Sequence, residues 1–329
     1  MNAPKRFRSK PWVISALVVV LAGCGHVSTA SRSISNGRSV SSCPRHVSLV
    51  PFTTRKLQRG VGAIVTEGGR IFVANPVAGT VTRINGSSSV AVRLAPGPMS
   101  LATYDGRLWV AERDANEVIS LSTQNLHRLT TSRLPVPVGV VAGPFGVWAL
   151  SMDTAALYQI NPATGMNFAP RDSPASGPTE MAAAGEELWV LGAGEQGLSP
   201  FNAKLGRIVR AGYRLAGESM GGLSANNTGV WLGEPRALSI LHVNLGATRI
   251  EEISAPGRMA VTSTAVGQCG VWVASSAGKL GLVASGSGAS LTSPIRVSST
   301  IAAIATSERD AWVTDPLSGT ITRVRVQEV

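Results

Sequence analysis

One aromatic position recurs seven times along the chain, at intervals of 37 to 42 residues. Each copy stands between apolar residues, and six of the seven tryptophans of the chain occupy it. The seven copies are Phe72, Trp109, Trp148, Trp189, Trp231, Trp272 and Trp312. A period near 40 residues is typical of repeat folds, in which each repeat forms one supersecondary unit. The repeat therefore constrains the fold more than any other feature.

Each repeat has the pattern of several short strands. A short apolar segment precedes the aromatic triplet, an alternating segment such as 80–84 follows it, and most repeats add a fourth, such as 90–94. Helical repeats are excluded because no segment keeps a 3.6-residue period over ten residues. The sequence predicts an all-β fold, a seven-bladed β-propeller of four-stranded blades over residues 47–329. We expect the aromatic rings to pack between blades; stacking on a ligand is the alternative.

The last repeat lacks a fourth strand of its own. It ends at Val329, soon after its third segment, 320–324. Residues 47–57, before the first repeat, are apolar-rich and strand-like. Because an unpaired sheet edge is a liability, we expect 47–57 to close the ring as the missing strand.

The repeats carry a recognisable turn motif. It reads Asn-Pro-Val-Ala-Gly-Thr at 75–80, Asn-Pro-Ala-Thr-Gly at 161–165 and Asp-Pro-Leu-Ser-Gly-Thr at 315–320. With the repeated "LWV" strands, residues 60–329 resemble bacterial propellers of the YVTN, NHL and streptogramin B lyase (virginiamycin B lyase) type. This resemblance is specific for the fold rather than for an activity.

The resemblance raises two enzyme classes. Streptogramin B lyases use a histidine base, acidic residues and magnesium, whereas His127 and His242 here fall on outer and third strands. Gluconolactonase-type propellers hold a divalent cation at the inner strand ends. The corresponding positions are near Gly62, Met99, Val138, Glu180, Gly221, Met259 and Ile301. Glu180 is the one hard-metal ligand among these residues, so we expect no metal site, no cofactor and no catalytic residues. A lyase-type or lactonase-type enzyme stays open as the alternative.

The N-terminus has the pattern of an export signal. Residues 2–10 carry four positive charges, 12–22 are apolar apart from Ser15, and the segment ends Leu-Ala-Gly-Cys24. This resembles the lipobox of bacterial lipoproteins, which implies a signal peptide at 1–23 and acylation of Cys24 by palmitate-type chains. An ordinary secretory signal is the alternative. Residues 24–46 contain seven serines and predict a flexible tether. No segment after Cys24 is long and apolar enough to span a membrane. We expect a lipid-anchored protein facing the extracytoplasmic side of a bacterial cell membrane.

Nearly all of the formal net charge of +11 comes from the start of the chain. All ten basic residues before Gly60 lack acidic neighbours, and the rest of the chain has 20 basic and 19 acidic residues. The propeller therefore has no general basic excess for phosphate backbones, and we expect no nucleic-acid partner.

In a propeller of this kind, the second-to-third strand turns and the blade-to-blade crossovers share one face. The sequence places there Asn75, Met99, Glu112, Arg113, Asp114, Asp153, Glu180, Glu195, Glu218, Met220, Glu234, Arg236, Arg258, Met259 and Asp315. Solvated turns are the simplest interpretation of any one of them. We predict a binding or scaffold protein that recognises a protein, cell-envelope or small-molecule partner. Its expected contacts are Arg113, Glu180, Glu234, Arg236 and Arg258, since guanidinium groups hold carboxylates bidentately. A structural subunit of an envelope complex is a further possibility.

The chain has three cysteines. With Cys24 acylated, Cys43 and Cys269 remain, and an exported location permits a disulfide. Cys269 lies in a turn lengthened before Trp272, and Cys43 lies just before the closing strand. We predict a Cys43–Cys269 disulfide.

Overall fold

The computed structural model of the protein describes residues 47–193, 197–215, 220–245 and 250–329. The predicted signal peptide, Cys24, the predicted tether and Cys43 lie outside these residues. The described residues form seven antiparallel sheets, the blades. Blades 1 to 3 contain β2 (Ile64–Glu67), β3 (Arg70–Asn75), β4 (Thr80–Asn85) and β5 (Ser88–Arg93); β6 (Pro98–Tyr104), β7 (Arg107–Glu112), β8 (Glu117–Ser122) and β9 (Arg128–Arg133); and β10 (Pro137–Gly143), β11 (Gly146–Ser151), β12 (Ala156–Ile160) and β13 (Arg171–Asp172).

The remaining blades follow the same order. Blades 4 to 7 contain β14 (Pro178–Ala184), β15 (Glu187–Gly192) and β16 (Leu198–Asn202); β17 (Gly221–Asn226), β18 (Gly229–Glu234), β19 (Ser239–Asn244) and β20 (Glu251–Ser254); β21 (Val261–Gly267), β22 (Gly270–Ser275), β23 (Lys279–Val283) and β24 (Ile295–Arg296); and β25 (Ala303–Ser307), β26 (Asp310–Asp315), β27 (Thr320–Glu328) and β1 (Val47–Lys56). In blade 4 the outer edge is formed by two isolated bridges, Leu198 to Tyr213 and Asn202 to Arg207. Two short 3₁₀ turns cover Arg113–Ala115 and Pro256–Arg258.

The first strand of each blade lies innermost. Each innermost strand packs against that of the next blade, and β25 packs against β2 to complete the ring. The second strand carries the repeated aromatic residue. Phe72, Trp109, Trp148, Trp189, Trp231 and Trp272 are fully buried, and Trp312 is partly buried. The rings therefore fill the core, as the repeat predicts.

Blade 7 combines both ends of the propeller. β1 pairs antiparallel with β27 over nearly its whole length, from Val47 opposite Glu328 to Lys56 opposite Thr320. The N-terminal strand thus supplies the outer edge that the last repeat lacks. This pairing joins residues more than 260 positions apart, so it couples the first and last repeats.

The strand directions define two faces. The crossover face carries the turns from second to third strand and the connections between blades, and backbone bonds join the two sets. In blade 1, Leu94 N donates to Gly79 O at 2.7 Å. The turn face carries the first-to-second and third-to-fourth strand turns. Val47 pairs with Glu328, the last residue of β27, which lies at the turn face. The chain therefore enters the propeller at that face. Among the described residues, no helix has the length and apolar character needed to cross the bilayer.

Candidate functional site

The crossover face is held together by polar side chains at the ends of several second strands. Asn75, at the end of β3, donates from Nδ2 to Gln58 O and Arg59 O at 3.2 and 2.8 Å. Its Oδ1 accepts from Ala78 N at 3.0 Å. Ser151 does the same in blade 3, donating to Pro135 O at 2.6 Å. Each side chain therefore joins a turn to the crossover beside it.

Asp315 is the most fully bonded member of this set. Its Oδ2 accepts from Ser299 N and Oγ at 3.1 and 2.6 Å, and its Oδ1 accepts from Leu317 N and Ser318 N at 3.0 and 3.1 Å. Burial raises its pKa, but the hydrogen bonds from Ser299 and Ser318 outweigh it and leave the pKa of Asp315 lowered. Asn75 and Asp315 thus lie at the predicted face, buried within its frame.

Steric contact explains why the turn motif contains a glycine. Gly319 has a φ of +67°, and a Cβ there would lie 2.7 Å from the backbone nitrogen of Arg59 in the adjacent connection. Only glycine permits this approach. The motif is not specific to one face, since Asn161 and Gly165 form the same kind of turn on the turn face of blade 3.

The turn tips on the crossover face expose apolar side chains. Val77 is 82% exposed in blade 1, Leu317 is 66% exposed in blade 7 and Met152 is 43% exposed in blade 3. The buried polar residues beneath them fix the turns, so the tips project from a rigid frame.

The predicted arginines also lie on this face, in two places. Arg236 is exposed in the turn after β18, and Arg258 is exposed in the connection from blade 5 to blade 6. Arg113 lies three blades away, where its Nε pairs with Asp114 Oδ1 at 2.9 Å. The structure therefore places Arg236 and Arg258 on neighbouring segments and separates Arg113 from them. Asp153 is exposed in the turn of blade 3.

Two of the acidic residues predicted on this face, Glu234 and Glu112, are buried in different surroundings. Glu234 is largely buried and accepts from Ser239 Oγ at 3.0 Å. Glu112 is fully buried opposite Glu117, and Arg128 lies 3.2 Å from Glu117 and 3.8 Å from Glu112. Burial, and then the nearby Glu117 carboxylate, raise the pKa of Glu112 to about 7. Glu195 and Glu218 lie outside the described residues.

A β-bulge changes the predicted register at the channel mouth. In five blades the innermost strand gains a residue near its crossover-face end, as between Pro98 and Ser100 in blade 2. The inserted positions are Met99, Val138, Thr179 and Thr262, with Gly222 and Leu223 in blade 5. The sequence predicts Glu180, Gly221 and Met259 at these positions. The register instead places Thr179 in blade 4, Gly222 and Leu223 in blade 5 and Thr262 in blade 6 there. A shift of one residue turns a side chain to the other side of a strand.

Glu180 consequently points between blades rather than into the channel. It is 1% exposed, and its carboxylate accepts from Gly222 N at 3.2 Å and Leu223 N at 2.7 Å in blade 5. Ser100 holds the same register in blade 2 and accepts from Val140 N at 3.1 Å. Burial raises the pKa of Glu180 to about 7, against the lowering effect of the two backbone donors. Its arrangement is that of a link between blades.

The two described histidines lie away from the channel mouth. His127 is exposed beside a third-to-fourth strand turn of blade 2. His242, on β19, is buried and stacks on Trp231 with ring centroids 3.8 Å apart. Burial lowers the pKa of His242, opposed by Glu251, whose Oε2 lies 3.7 Å from Nδ1. His242 therefore packs as part of blade 5.

The remaining features concern metal-ligating side chains, a cavity and Cys269. Within the described ranges, no three His, Cys, Asp or Glu side chains are grouped to hold a metal ion. A cavity of about 260 Å³ lies between blade 1 and the closing segment, lined by neutral residues including Leu57, Val61, Asn75 and Thr82. Cys269 lies in a turn on the turn face and belongs to the same buried hydrophobic cluster as Leu49 of β1. That position is compatible with the predicted disulfide, whose partner Cys43 is not described.

Comparisons with known proteins agree with this architecture. The sequence matches no protein-family model, and no curated protein matches it. Among solved structures, the fold is similar to virginiamycin B lyase from Staphylococcus aureus, with a TM-score of 0.71 at 18% identity, covering 85% of this chain and 99% of that one. A streptogramin B lyase structure gives a TM-score of 0.71 at 17% identity, covering 87% and 100%. Hydrazine synthase from Kuenenia stuttgartiensis gives 0.73 at 11%, covering 82% and 97%.

At such identities the likeness concerns the fold. The structural neighbours include streptogramin B lyase-type propellers, as the turn motifs and the repeated second strand predict from sequence. One neighbour is a catalytically inactive histidine-to-alanine variant of the Staphylococcus aureus lyase with quinupristin. The chain thus has the architecture of a seven-bladed β-propeller related in fold to the streptogramin B lyase type.

Proposed function

We propose that the protein is a membrane-anchored, extracytoplasmic recognition propeller that binds a protein partner through its crossover face. The observation that carries this proposal is the set of exposed apolar tips, Val77, Leu317 and Met152, on turns fixed from below by buried polar bonds. Exposed apolar side chains on a rigid frame are typical of surfaces that become buried when a partner protein binds.

A protein suits this surface better than a small molecule. The tips belong to blades 7, 1 and 3, so they spread around the ring rather than converge in a hollow. Small-molecule sites are concave and enclose most of their ligand. Arg236 and Arg258 add charged anchors on the blade 5 side, where guanidinium groups suit carboxylates of a partner.

The anchor belongs to the same proposal. A basic head, an apolar core and the Leu-Ala-Gly-Cys24 ending support acylation of Cys24. Mass spectrometry of the mature chain tests this directly, and Cys24→Ser removes the acylated thiol. Loss of membrane association in that variant is the expected result.

Site-specific photo-crosslinking in cells tests the binding face. A photoreactive residue at Val77 or Leu317 should give a discrete crosslinked protein, and the same residue at exposed Leu129 on an outer strand should not. Arg236→Ala with Arg258→Ala should lower the crosslink yield without changing the folded ring. Equal products from all positions would contradict the face assignment.

The lyase alternative has its own test. Incubation with quinupristin, the compound bound in one neighbour, should leave the compound unchanged in mass and chromatography. Turnover that disappears in His127→Ala or His242→Ala would favour the enzyme instead.

A further inference from the structure

An apolar patch lies on the opposite side of the molecule, at the rim of the turn face. Its members come from the third-to-fourth strand connections of blades 3 and 4 and are 43 to 70% exposed: Met166, Phe168, Leu205, Ile208 and Val209. Single exposed apolar residues are ordinary, but five large ones in two neighbouring connections are not. We call these five residues the rim patch.

The two connections lie side by side. A Cβ placed on Gly206, beside Leu205, would come within 3.8 Å of Nε of Arg171 from blade 3. The Arg171 side chain therefore extends from its strand to the tip of the blade 4 connection. The blade 3 and blade 4 parts of the rim patch are therefore neighbours, with the Arg171 side chain between their connections.

Basic side chains border the rim patch. Lys204 and Arg210 are present but paired, with Glu186 at 3.3 Å and Glu187 at 2.8 Å. Arg171 and Arg207 are exposed and make no ion pair with any residue the structure describes. Asp172 is exposed beside Arg171 and offsets part of its charge. The surface around the rim patch therefore carries a local excess of positive charge.

The position of the chain entry relates this surface to the membrane. β1 begins at Val47 on the turn face, so the preceding segment of the chain joins the ring at that face. The segment from Cys24 to Val47 spans up to about 75 Å when extended, so the tether alone permits any orientation of the ring. A second contact is needed to fix which face points towards the lipid.

We propose that the rim patch docks on the anionic lipid surface to which Cys24 anchors the chain. Apolar side chains flanked by arginines are the combination that inserts into the headgroup region of acidic membranes. Blades 3 and 4 lie across the ring from blade 7, where the tether enters. Two separated contacts on one face hold the ring flat, with the crossover face directed away from the membrane. This inference rests on the proposed anchor.

Depth-dependent quenching tests the orientation with a matched control. Met166→Cys and Leu205→Cys place a bimane probe in the rim patch, and Val77→Cys and Leu317→Cys place it at comparably exposed apolar tips on the other face. The full lipidated chain is reconstituted in vesicles containing phosphatidylglycerol and a nitroxide-headgroup lipid. The chain without an added cysteine, labelled under the same non-reducing conditions, is the blank.

We expect quenching at 166 and 205 to exceed that at 77 and 317 by about threefold or more. The difference should shrink in phosphatidylcholine vesicles, at raised salt, and in the Arg171→Glu, Arg207→Glu variant, because the charge contribution is screened or reversed. Equal quenching on both faces, or stronger quenching at 77 and 317, overturns the inference. No quenching at any position also overturns it, and leaves a protein as the occupant of the rim patch.

Different results would contradict the proposed anchor and the proposed membrane contact of the rim patch. If Cys24 is not acylated, an N-terminal oligohistidine segment holds a Cys24→Ser chain on a nickel-chelating lipid, and the quenching comparison is made on that chain. Absence of acylation thus counts against the proposed anchor alone. Uniform quenching on a chain that floats with the vesicles counts against the rim patch alone.

Discussion

Glu180 offers the sharpest test of how the ring is held. Its carboxylate accepts from two backbone donors of the next blade while being 1% exposed. Glu180→Ala leaves Gly222 N and Leu223 N buried without this acceptor. An unsatisfied buried donor costs about 1–3 kcal/mol, so the variant should lose about 3 kcal/mol of unfolding free energy. Glu186→Ala, exposed in the same blade, should lose almost none.

The pH dependence of the same residue has a definite sign. The pKa of Glu180 rises from 4.5 to about 7 on folding because of burial. The folded state therefore holds the proton more tightly, and the contribution to stability falls as the pH rises from about 4.5 to above 7. The fall amounts to about 3 kcal/mol when complete. Glu180→Gln cannot titrate, so the wild-type stability minus the variant stability should decrease by this amount across that window.

Urea unfolding followed by tryptophan fluorescence measures both effects. Five tryptophans are buried at 1% exposure or less, so their emission reports loss of the ring. Glu112 also has a pKa raised to about 7, but it is present in both proteins and cancels in the difference. Parallel stability curves for wild type and Glu180→Gln, or a difference that grows with pH, would refute the reasoning.

Three further results are expected. Gly319→Ala should lower the free energy of unfolding by about 1–3 kcal/mol, because the positive φ and a 2.7 Å contact leave no room for a Cβ. Gly69→Ala, at a positive φ but with open space around it, should lower it less. Chemical denaturation of the two variants measures the difference. Deletion of residues 45–57 removes the strand paired with β27, so melting temperature and protease resistance should both fall; unchanged values would show that the ring closes without it. Non-reducing peptide mapping should recover a Cys43–Cys269 peptide, and maleimide reaction of both native thiols would exclude the bond.

The fold could be predicted because one packing rule repeats. A large ring on every second strand fills the space between twisted sheets, and Trp109 and Trp189 occupy equivalent buried places in blades 2 and 4. The closing strand followed from counting strands in the last repeat. Both conclusions depend on spacing alone, which a single sequence displays.

The spacing of the repeats could not predict which residues lie at the crossover-face ends of the innermost strands. Glu180 and Thr179 are adjacent in sequence, and the bulge at Thr179 follows Pro178. The bulges of blades 2 and 3 likewise follow a proline, so proline, rather than spacing, is the signal for it. Asn75 and Asp315 were correctly placed near the crossover face, yet the connections that bury them come from the neighbouring blade. The rim patch depends on two irregular connections whose proximity only the ring determines.

The distribution of polar and apolar residues separates the positions that hold the frame from those that face outward. Asn75, Ser151 and Asp315 all end a second strand, and each hydrogen-bonds to the crossover beside it. Glu180 uses its carboxylate for backbone donors of the next blade. Since these groups support the frame, recognition is left to the residues that the frame projects outward. Those are tips such as Val77 and Leu317 on one face and the rim patch on the other. Separate apolar surfaces on opposite faces of one rigid ring suit a protein that meets a membrane with one face and a partner with the other.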